Sequence, residues 1–442
     1  MNTVSKGELA VPASVPRIKN LDLLGAGDAA GAQTERYARL AATFRRHFPD
    51  MAGVTRLRFY SSPGRTELCG NHTDHNHGNV LAASIQMDMA AVAAPRADSV
   101  VHIISEGFGE FLLNIADGAV HPEEKGRSEA LVRGIAEGIR KEAAKSGQSA
   151  PLRGFSACIQ SNVPPGAGLS SSASFEVLVG CILADCASIA LSPPQIAMIG
   201  QYAENTYFGK PCGLMDQMAC ALGNIAAIDF ENPQDPAIRL FRFDPENFGF
   251  SILIVNTGGS HADLTDSYRD IPAEMMAVAR LFGKNVLRGL SVEDIVERMP
   301  EIRQSCGDRA FLRAYHFITE NQRPADLSRA MLDTDMERYL SIVRESGESS
   351  WKYLQNLYPC ESPRDQGLGI ALALTEDFIA RKAGGKGACR VHGGGFAGTI
   401  QVYVPTEKIG DYRAEMQKLF GDGSVFPLRV RPYGVVCIDS ID

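Results

Sequence analysis

A glycine- and serine-rich segment at residues 163–174, VPPGAGLSSSAS, carries residue types that bind phosphate. An alternating apolar run precedes it, as in a strand, and apolar positions at helical spacing follow it. The segment therefore lies at a helix N-terminus, whose unpaired N–H groups and dipole favour an anion. Glycines allow close approach of a phosphate, and serine hydroxyls donate to it or ligate magnesium. We predict a nucleotide-phosphate loop; a serine-rich capping loop without a ligand is the alternative.

A second segment, residues 63–78 (PGRTELCGNHTDHNHG), concentrates hydrogen-bonding side chains after a strand-like run. Each desolvated sugar hydroxyl needs a donor or an acceptor, so this density suits a polyhydroxylated ligand. Arg65 adds a fixed fork of donors for a phosphate or an oxyanion. Two alternatives stay open, although the histidine spacing matches no recognised zinc site. They are a purely structural polar turn and a transition-metal site made by Asp74, His72, His75 and His77.

Asp216 stands in an apolar stretch that follows the residues GKPCG at 209–213. A buried carboxylate is costly unless it is paired, and Arg65 is a candidate partner. Such a pair would leave Asp216 placed to orient or deprotonate a hydroxyl. A helix-capping role explains the same residue equally well at the level of sequence.

A fourth segment, residues 390–398 (RVHGGGFAG), leads into an alternating, strand-like run. Its glycines fit the pattern G-x-G-x-x-G, but a strand follows where dinucleotide binding requires a helix. The segment therefore predicts a tight loop packed against another loop or a substrate, with a simple glycine hairpin as the alternative.

The composition is that of an ordinary globular protein, with 45% hydrophobic and 22% charged residues among 442. This length predicts two or three domains. The net charge of −8 argues against a general nucleic-acid or anionic-membrane binder. We see neither a signal-peptide pattern at the start nor an apolar run of membrane-spanning length. The ten cysteines are scattered without a CxxC pair, which predicts reduced thiols and a cytoplasmic location.

Apolar periodicity predicts strands that alternate with helices, followed by a largely helical second half. The predicted strands span residues 55–61, 80–94, 100–104, 111–115, 155–160, 225–230, 252–256, 399–404 and 435–438. The predicted helices span residues 34–48, 129–145, 171–187 and 193–207, with more between 273 and 380. Residues 231–247, rich in Asn, Asp and Pro, are the predicted domain linker. Without a regular βαβ rhythm, this mixture favours the α+β class.

In their order, the four segments resemble the GHMP small-molecule kinases, and among these the galactokinases. GRTELCGNHTDHNHG is similar to the family signature GRVNLIGEHTDYNxG, and PPGAGLSSSA to the phosphate loop PxGxGLSSSA. Residues 203–217, which contain AE and GKPCGLMDQ, are similar to the family segment AEx…GxxCGIMDQ. Residues 393–398 are similar to the glycine loop GxGFGG. The resemblance covers about residues 40–440, and its separated motifs agree in order and spacing.

The resemblance implies a two-domain GHMP kinase fold of the α+β class, with the active site in the cleft between the domains. Residues 1–35 would form an N-terminal extension, 36–245 the N-terminal domain and 246–442 the C-terminal domain. The implied reaction transfers the γ-phosphoryl group of ATP to the anomeric hydroxyl of galactose, with Mg²⁺ as cofactor. The implied partners are ATP and a monosaccharide, and we expect a monomer.

The resemblance also implies roles for individual residues. Asp216 would be the catalytic carboxylate facing the sugar 1-hydroxyl, and Arg65 would keep it ionised and help neutralise the phosphoryl group. Magnesium would bind Ser172 and Glu204, directly or through water. The sugar would contact Arg65, Asn71, His72, Asp74, Gly213, Asp216 and Tyr268. The ATP phosphates would be wrapped by Pro165, Gly166, Ala167, Gly168, Leu169, Ser170, Ser171 and Ser172.

Five of the departures from the family pattern bear on the ligands. Asn71 stands where the family has Glu, and Glu67 where it has Asn, as though the two had been exchanged. His75 replaces a tyrosine, and in the glycine loop smaller residues are expected at His392 and Ala397. By its motif position Asn71 would lie near the sugar 6-hydroxyl, where an amide lacks the charge-assisted acceptor of a carboxylate.

These departures leave the exact sugar open. Galacturonate, N-acetylgalactosamine and arabinose are alternatives to galactose. A regulator of the same fold that senses sugar and ATP without catalysis is the alternative of a different class. The presence of both Arg65 and Asp216 favours catalysis, because a sensor would tolerate losing either.

Overall fold

The computed structural model describes residues 8–19, 21–24, 30–51, 57–145, 147, 152–259 and 264–441. The strands are β1 Glu8–Leu9, β2 Arg17–Ile18, β3 Arg58–Cys69, β4 Asn79–Pro95, β5 Val100–Ser105, β6 Gly109–Asn114, β7 Phe155–Ser161, β8 Ile225–Asp229, β9 Ala237–Phe241, β10 Phe250–Asn256, β11 Ala388–Val391, β12 Thr399–Pro405, β13 Val425–Leu428 and β14 Val436–Ile438. The helices are α1 Ala30–His47, α2 Ser128–Lys145, α3 Ser171–Ala187, α4 Pro193–Ala203, α5 Met215–Leu222, α6 Thr265–Leu281, α7 Val292–Glu297, α8 Met299–Cys306, α9 Asp308–Glu320, α10 Arg323–Asp333, α11 Met336–Ser349, α12 Gly367–Lys382 and α13 Ile409–Phe420.

The first sheet is built around the long strand β4, which pairs antiparallel with β3, β7 and β8. Successive side chains of β4 point to opposite faces of the sheet, and they pack in two different apolar layers. Ala90, Val92 and Ala94 pack with α1, whereas Met89, Ala91 and Ala93 pack in the cluster formed with α2, α3 and α4. The strand order is β1-β9-β8-β4-β3-β14-β2. Strand β7 also pairs with β4, β5 pairs with β7, and β6 pairs with β5. Both faces are covered, so β3 is buried along most of its length.

The second sheet has the order β11-β12-β10-β13 and is antiparallel throughout. Strand β10 again alternates: Leu253 and Val255 pack with α12 and α13, and Ile252 and Ile254 pack toward α11. The layer that holds Ile252 and Ile254 also contains Leu81, Ala83 and Ile85 of β4. One apolar layer therefore joins the two sheets.

The predicted α+β class is confirmed, and most predicted elements are present within a few residues of their expected bounds. Helix α4 begins as predicted, because the Ser192 hydroxyl accepts from the Gln195 N–H and the Gln195 side chain accepts from the Ser192 N–H. It continues as a π-helical turn over Glu204–Phe208. The first two residues of the predicted strand 55–61 lie outside the described residues.

The predicted linker at residues 231–247 is wrong in part. It contains β9, which pairs with β8 and β1, because Leu240 and Phe241 are buried within an otherwise polar segment. Strand β14 returns from the end of the chain to pair with β3 in the first sheet. The domain division at residues 245 and 246 stays a prediction. The helices in the described part of the chain are all too short or too polar to cross a bilayer.

Candidate active site

Arg65 and Asp216 form a side-on ion pair. Arg65 follows a register shift in β3, and Asp216 lies in the first turn of α5, where the helix dipole favours a carboxylate. The Arg65 Nε donates to Asp216 Oδ1 at 2.7 Å, and Nη2 donates to Oδ2 at 2.8 Å. The Arg65 side chain is 6% exposed and that of Asp216 34% exposed. The guanidinium thus lies buried behind a carboxylate that keeps one side open, and the predicted pairing is confirmed.

The carboxylate of Asp216 also accepts a hydrogen bond from the Ser170 hydroxyl. Burial acts to raise the pKa of Asp216, but the charge and hydrogen bonds of Arg65 and the bond from Ser170 outweigh it and hold the pKa below its usual range. Asp216 is therefore ionised at neutral pH. Such a group is a weak base and a strong hydrogen-bond acceptor, suited to orienting a hydroxyl.

Three successive carbonyls of the phosphate loop point inward to protein donors. The Ala167 carbonyl accepts from the Thr399 hydroxyl at 3.2 Å, and the Gly168 carbonyl accepts from Arg65 Nη1. The Leu169 carbonyl accepts from the Arg65 backbone N–H at 3.1 Å. In a trans peptide the carbonyl and the following N–H point to opposite sides. The N–H groups of Gly168, Leu169 and Ser170 therefore point away from these donors. Gly168 and Ser170 are partly exposed, so their N–H groups suit an anion, whereas Leu169 is fully buried.

The loop conformation explains its composition. Gly166 and Gly168 have φ values of 70° and 65°, which only glycine adopts without strain. Ser170 precedes α3 and also has a positive φ, 55°, which costs free energy in a residue with a Cβ. This cost is offset by the hydrogen bond that its hydroxyl donates to Asp216. Ser170 therefore links the phosphate loop to the carboxylate.

The loop after β3 brings the predicted sugar contacts together with the glycine loop. Asp74 lies against Gly213 so closely that a Cβ on Gly213 would be 1.7 Å from Asp74 Oδ2. The His72 Nε2–H donates to the Gly394 carbonyl at 3.0 Å. Tyr268 donates from its hydroxyl to the Gly395 carbonyl at 2.9 Å. Burial, with a smaller contribution from His75, lowers the pKa of His72 to about 3, so His72 is neutral.

Asn71 is fully buried and its amide is occupied by protein groups. Its Nδ2 donates to the Glu67 carboxylate at 3.0 and 3.1 Å and to the Gly393 carbonyl at 2.7 Å. Its Oδ1 accepts from Asn356 at 2.9 Å and from Ser350 at 3.4 Å. The exchanged pair of Glu67 and Asn71 is thus in direct contact. A contact between Asn71 and the sugar stays a prediction that requires this amide to change partners.

Glu67 needs a cation because it is buried, and Arg390 of β11 supplies it. Burial raises the pKa of Glu67, while Arg390, Arg65 and the hydrogen bond from Asn71 act in the opposite direction. Arg390 belongs to the segment that sequence analysis interpreted only as a glycine loop. Its partner was not predicted, because nothing local in the sequence relates residues that are 323 positions apart.

Glu204, one of the two predicted magnesium ligands, forms a buried carboxylate pair with Glu176. Gln217 Nε2 donates to Glu204 at 2.9 Å and to Glu176 at 3.0 Å. The Glu176 Oε1 is buried without a hydrogen-bond partner among the described residues. Ser172 is exposed on the first turn of α3, the helix that also carries Glu176. Carboxylate and hydroxyl oxygens are the ligands that Mg²⁺ prefers, so these residues fit the ion.

Glu176 was missed by the sequence analysis, although a carboxylate within an apolar helical pattern was its signal. Burial and the neighbouring Glu204 raise the pKa of Glu176 well above its usual range. Lys210, whose Nζ lies 3.5 Å from Glu204 Oε1, supplies positive charge on one side of this carboxylate pair, and a divalent cation would add to it. In the described part of the chain, no cluster of three or more His, Cys, Asp or Glu is arranged to hold a metal by itself.

Comparisons with known proteins agree with this geometry. The family model described as the galactokinase galactose-binding signature matches residues 42–95, and that described as the GHMP kinases N terminal domain matches residues 130–224. A galactokinase of Mannheimia succiniciproducens is 31% identical over 363 residues, which are 81% of this chain and 88% of that protein. A galactokinase of Actinobacillus pleuropneumoniae is 31% identical over 83% of this chain and 90% of its own length.

Solved structures share the fold. The Lactococcus lactis galactokinase complexed with galactose superposes with a TM-score of 0.73 at 22% identity, covering 90% of this chain and 99% of that one. A mevalonate kinase gives a TM-score of 0.55 at 16% identity and covers 84% of this chain and 99% of its own.

Proposed function

The chain belongs to the galactokinase family of the GHMP kinases, and we propose that it transfers the γ-phosphoryl group of ATP to the anomeric hydroxyl of galactose. The observation that carries this proposal is the Asp216 carboxylate. It is ionised, one-third exposed, and tied by Arg65 and Ser170 to the candidate phosphate loop. A sugar hydroxyl at Asp216 and a phosphate at the loop would therefore bind next to each other.

The proposed mechanism relies on position and charge. Asp216 accepts a hydrogen bond from the sugar 1-hydroxyl and holds its oxygen in line with the γ-phosphorus. The sugar oxygen bonds the γ-phosphorus as the bond from that phosphorus to ADP breaks, and the hydroxyl proton passes to Asp216. Because this transfer goes through a loose transition state, the proton leaves late and a carboxylate of low pKa suffices. Arg65 keeps Asp216 ionised and places positive charge near the transferring group. The N–H groups of Gly168 and Ser170, two partly exposed residues of the loop, bind phosphate oxygens.

Magnesium is proposed as the cofactor. Ser172 and Glu204, with Glu176 beside them, would hold it and neutralise the charge of the phosphates. Asp74, His72, Gly213 and Tyr268 are proposed to surround the sugar, with Asp74 accepting from ring hydroxyls. We further propose a cytoplasmic monomer. All ten cysteines are free thiols, which supports a reducing compartment.

The test is an ATP-consumption assay with Mg²⁺ over galactose, galacturonate, N-acetylgalactosamine, arabinose and glucose, followed by identification of the sugar phosphate. We expect galactose 1-phosphate as the main product, and none with the Asp216→Asn variant. A different preferred sugar would revise the substrate. Binding of both sugar and ATP without turnover for any sugar would replace the kinase by a sensor.

A further inference from the structure

His392 connects β3 to the phosphate loop through a continuous series of side-chain hydrogen bonds. Gln401 Nε2 donates to Thr66 Oγ1 at 2.7 Å, and Thr66 Oγ1 lies 3.0 Å from His392 Nε2. On the other side of the ring, His392 Nδ1 lies 3.1 Å from Thr399 Oγ1, which donates to the Ala167 carbonyl at 3.2 Å. The four side chains are at most 2% exposed, so water does not compete for these bonds.

The groups at the two ends of this series determine which group donates and which accepts in each hydrogen bond. The amide Nε2 of Gln401 can only donate, so the Thr66 hydroxyl accepts from it and has its own hydrogen left for His392 Nε2. At the other end a carbonyl oxygen can only accept, so Thr399 donates to Ala167 and must itself accept from His392 Nδ1–H. Every group is satisfied only if His392 is neutral with its proton on Nδ1.

The surroundings agree with a neutral ring. Burial, and then the positive charges of Arg65 and Arg390, hold the pKa of His392 well below its usual range, against a smaller opposite effect of Asp216. The contacts of the ring are hydroxyl groups, which serve as donor or acceptor as the tautomer requires.

The series ends where the two glycine loops meet. A Cβ on Gly168 would be 2.9 Å from Thr399 Oγ1 and 3.3 Å from His392 Nδ1, and one on Gly393 would be 3.6 Å from the Gly168 carbonyl. Thr399 thus contacts the Ala167–Gly168 peptide directly, and the ring of His392 lies beside Gly168. Whichever way the Ala167 carbonyl points, the Gly168 N–H points the other way.

We propose that His392 is a positioning residue for nucleotide binding: through Thr399 it fixes the Ala167–Gly168 peptide so that the Gly168 N–H faces the phosphates of ATP. This inference rests on the proposed function of the loop. It gives a role to a side chain at which the chain departs from the pattern of its family. Arg65 holds the next two carbonyls, so His392 and Arg65 together orient three successive peptides.

The test compares Thr399→Val, which removes the hydroxyl at nearly constant volume, with Thr399→Ser, which keeps it. His392→Ala removes the ring. The matched control is Thr375→Val, because Thr375 is an equally buried threonine of α12 whose hydroxyl bonds the Ala371 carbonyl and Tyr412 at 2.7 Å. KM for ATP, KM for sugar, kcat and the thermal midpoint are measured for each, with ATP affinity measured separately by calorimetry.

We expect Thr399→Val and His392→Ala to weaken ATP binding about tenfold, the effect of one lost buried hydrogen bond, with sugar KM within about twofold of wild type. Thr399→Ser should restore ATP binding. Thr375→Val should lower the thermal midpoint without changing either KM. The proposal is overturned if Thr399→Val lowers stability as the control does and leaves ATP affinity at the wild-type value.

A spectroscopic measurement tests the direction of the series independently. Nitrogen-15 labelling of histidine should show His392 as the neutral tautomer protonated on Nδ1, and this signal should change in Thr399→Val. A proton on Nε2, or a charged ring at pH 7, would overturn the assignment. If the wild type turns over no sugar but Thr399→Val still weakens ATP binding relative to Thr399→Ser, phosphoryl transfer fails while the positioning role stands.

Discussion

Arg65 and Asp216, 151 residues apart, meet through two parallel hydrogen bonds, and the same guanidinium donates to the Gly168 carbonyl of the phosphate loop. One buried side chain therefore fixes both the candidate catalytic carboxylate and the candidate phosphate site. Because the arginine is planar, neither contact can move without the other. Their relative position is thus built into the folded enzyme before substrates bind.

We expect Asp216→Asn to lower kcat by about 10³-fold or more while ATP and sugar affinities stay within a few-fold of wild type, because the charge acts mainly on the transition state. Calorimetry beside a turnover assay measures both. The matched control is Asp98→Asn, since Asp98 is held side-on by Arg96 at 2.7 and 2.7 Å, outside the site. Near-native turnover in Asp216→Asn would remove this residue from the mechanism.

Arg65→Lys keeps the charge and loses the fork of donors. A lysine cannot bond both oxygens of Asp216 and the Gly168 carbonyl in one plane, so we expect kcat/KM for ATP to fall by about 10²-fold. Arg96→Lys is the control for the same change in an exposed pair. If Arg65→Lys retained wild-type kinetics, the charge alone would matter and the geometry would not.

Gly213→Ala should impair sugar binding selectively. The added Cβ would be 1.7 Å from Asp74 Oδ2, so Asp74 must move from its position beside the candidate sugar site. We expect KM for the sugar to rise about tenfold or more, with KM for ATP unchanged. Gly410→Ala is the control, because nothing lies within 4 Å of its added Cβ. An unchanged sugar KM in Gly213→Ala would place the sugar elsewhere.

Exchanging Glu67 and Asn71 should reveal their coupling. Asn71→Glu places a second buried carboxylate about 3 Å from Glu67, and Glu67→Asn leaves Arg390 without its partner. We expect each single variant to lose about 3 kcal/mol of unfolding free energy, as broken buried pairs do. The double variant again has one carboxylate and one amide, so its unfolding free energy should be larger than that of either single variant. Urea denaturation measures this. Additive losses would contradict direct coupling.

The same double variant tests whether position 71 recognises the substituent at carbon 6 of the sugar. A carboxylate at position 71 accepts strongly from a 6-hydroxyl and repels a 6-carboxylate. We expect the ratio of kcat/KM for galactose to that for galacturonate to rise. The increase should correspond to a free-energy difference of about 1–3 kcal/mol. A ratio equal to that of the wild type would mean that position 71 acts only through its protein partners.

The protein should become less stable as the pH is lowered, and part of this loss should depend on His316. This histidine is fully buried between the Asn71 carbonyl and Ser349, at 2.9 Å from each, and burial lowers its pKa. The unfolded chain takes up a proton at this histidine below a pKa of about 6.5, and the native state takes it up only at lower pH. This contribution to stability is therefore full above that pH and declines below it.

Between pH 7.5 and 5.5 this uptake costs at most about 1 kcal/mol of unfolding free energy. We expect the loss, measured by urea denaturation at each pH, to be smaller in His316→Gln. Equal pH dependence in the two proteins would show that His316 titrates alike in the native and the unfolded state.

Local sequence determined most of the elements and the family. Periodicity placed α3 at its observed bounds, Ser171–Ala187, and α4 begins at the predicted residue 193, where Ser192 and Gln195 cap it. The resemblance of the separated motifs identified the galactokinase family, which the relatives confirm. These signals are local because hydrogen bonds within a helix, and the glycines of a tight loop, depend on neighbours in the chain.

Tertiary structure decided which distant groups meet. Sequence suggested that Arg65 pairs with Asp216 but gave no sign that Arg65 also holds the Gly168 carbonyl, or that Thr399 holds that of Ala167. It indicated an exchange of Glu67 and Asn71, whereas the fold shows that the amide is already occupied by four protein groups. Such contacts depend on how β3, the phosphate loop and the glycine loop pack together, and no local preference encodes that packing.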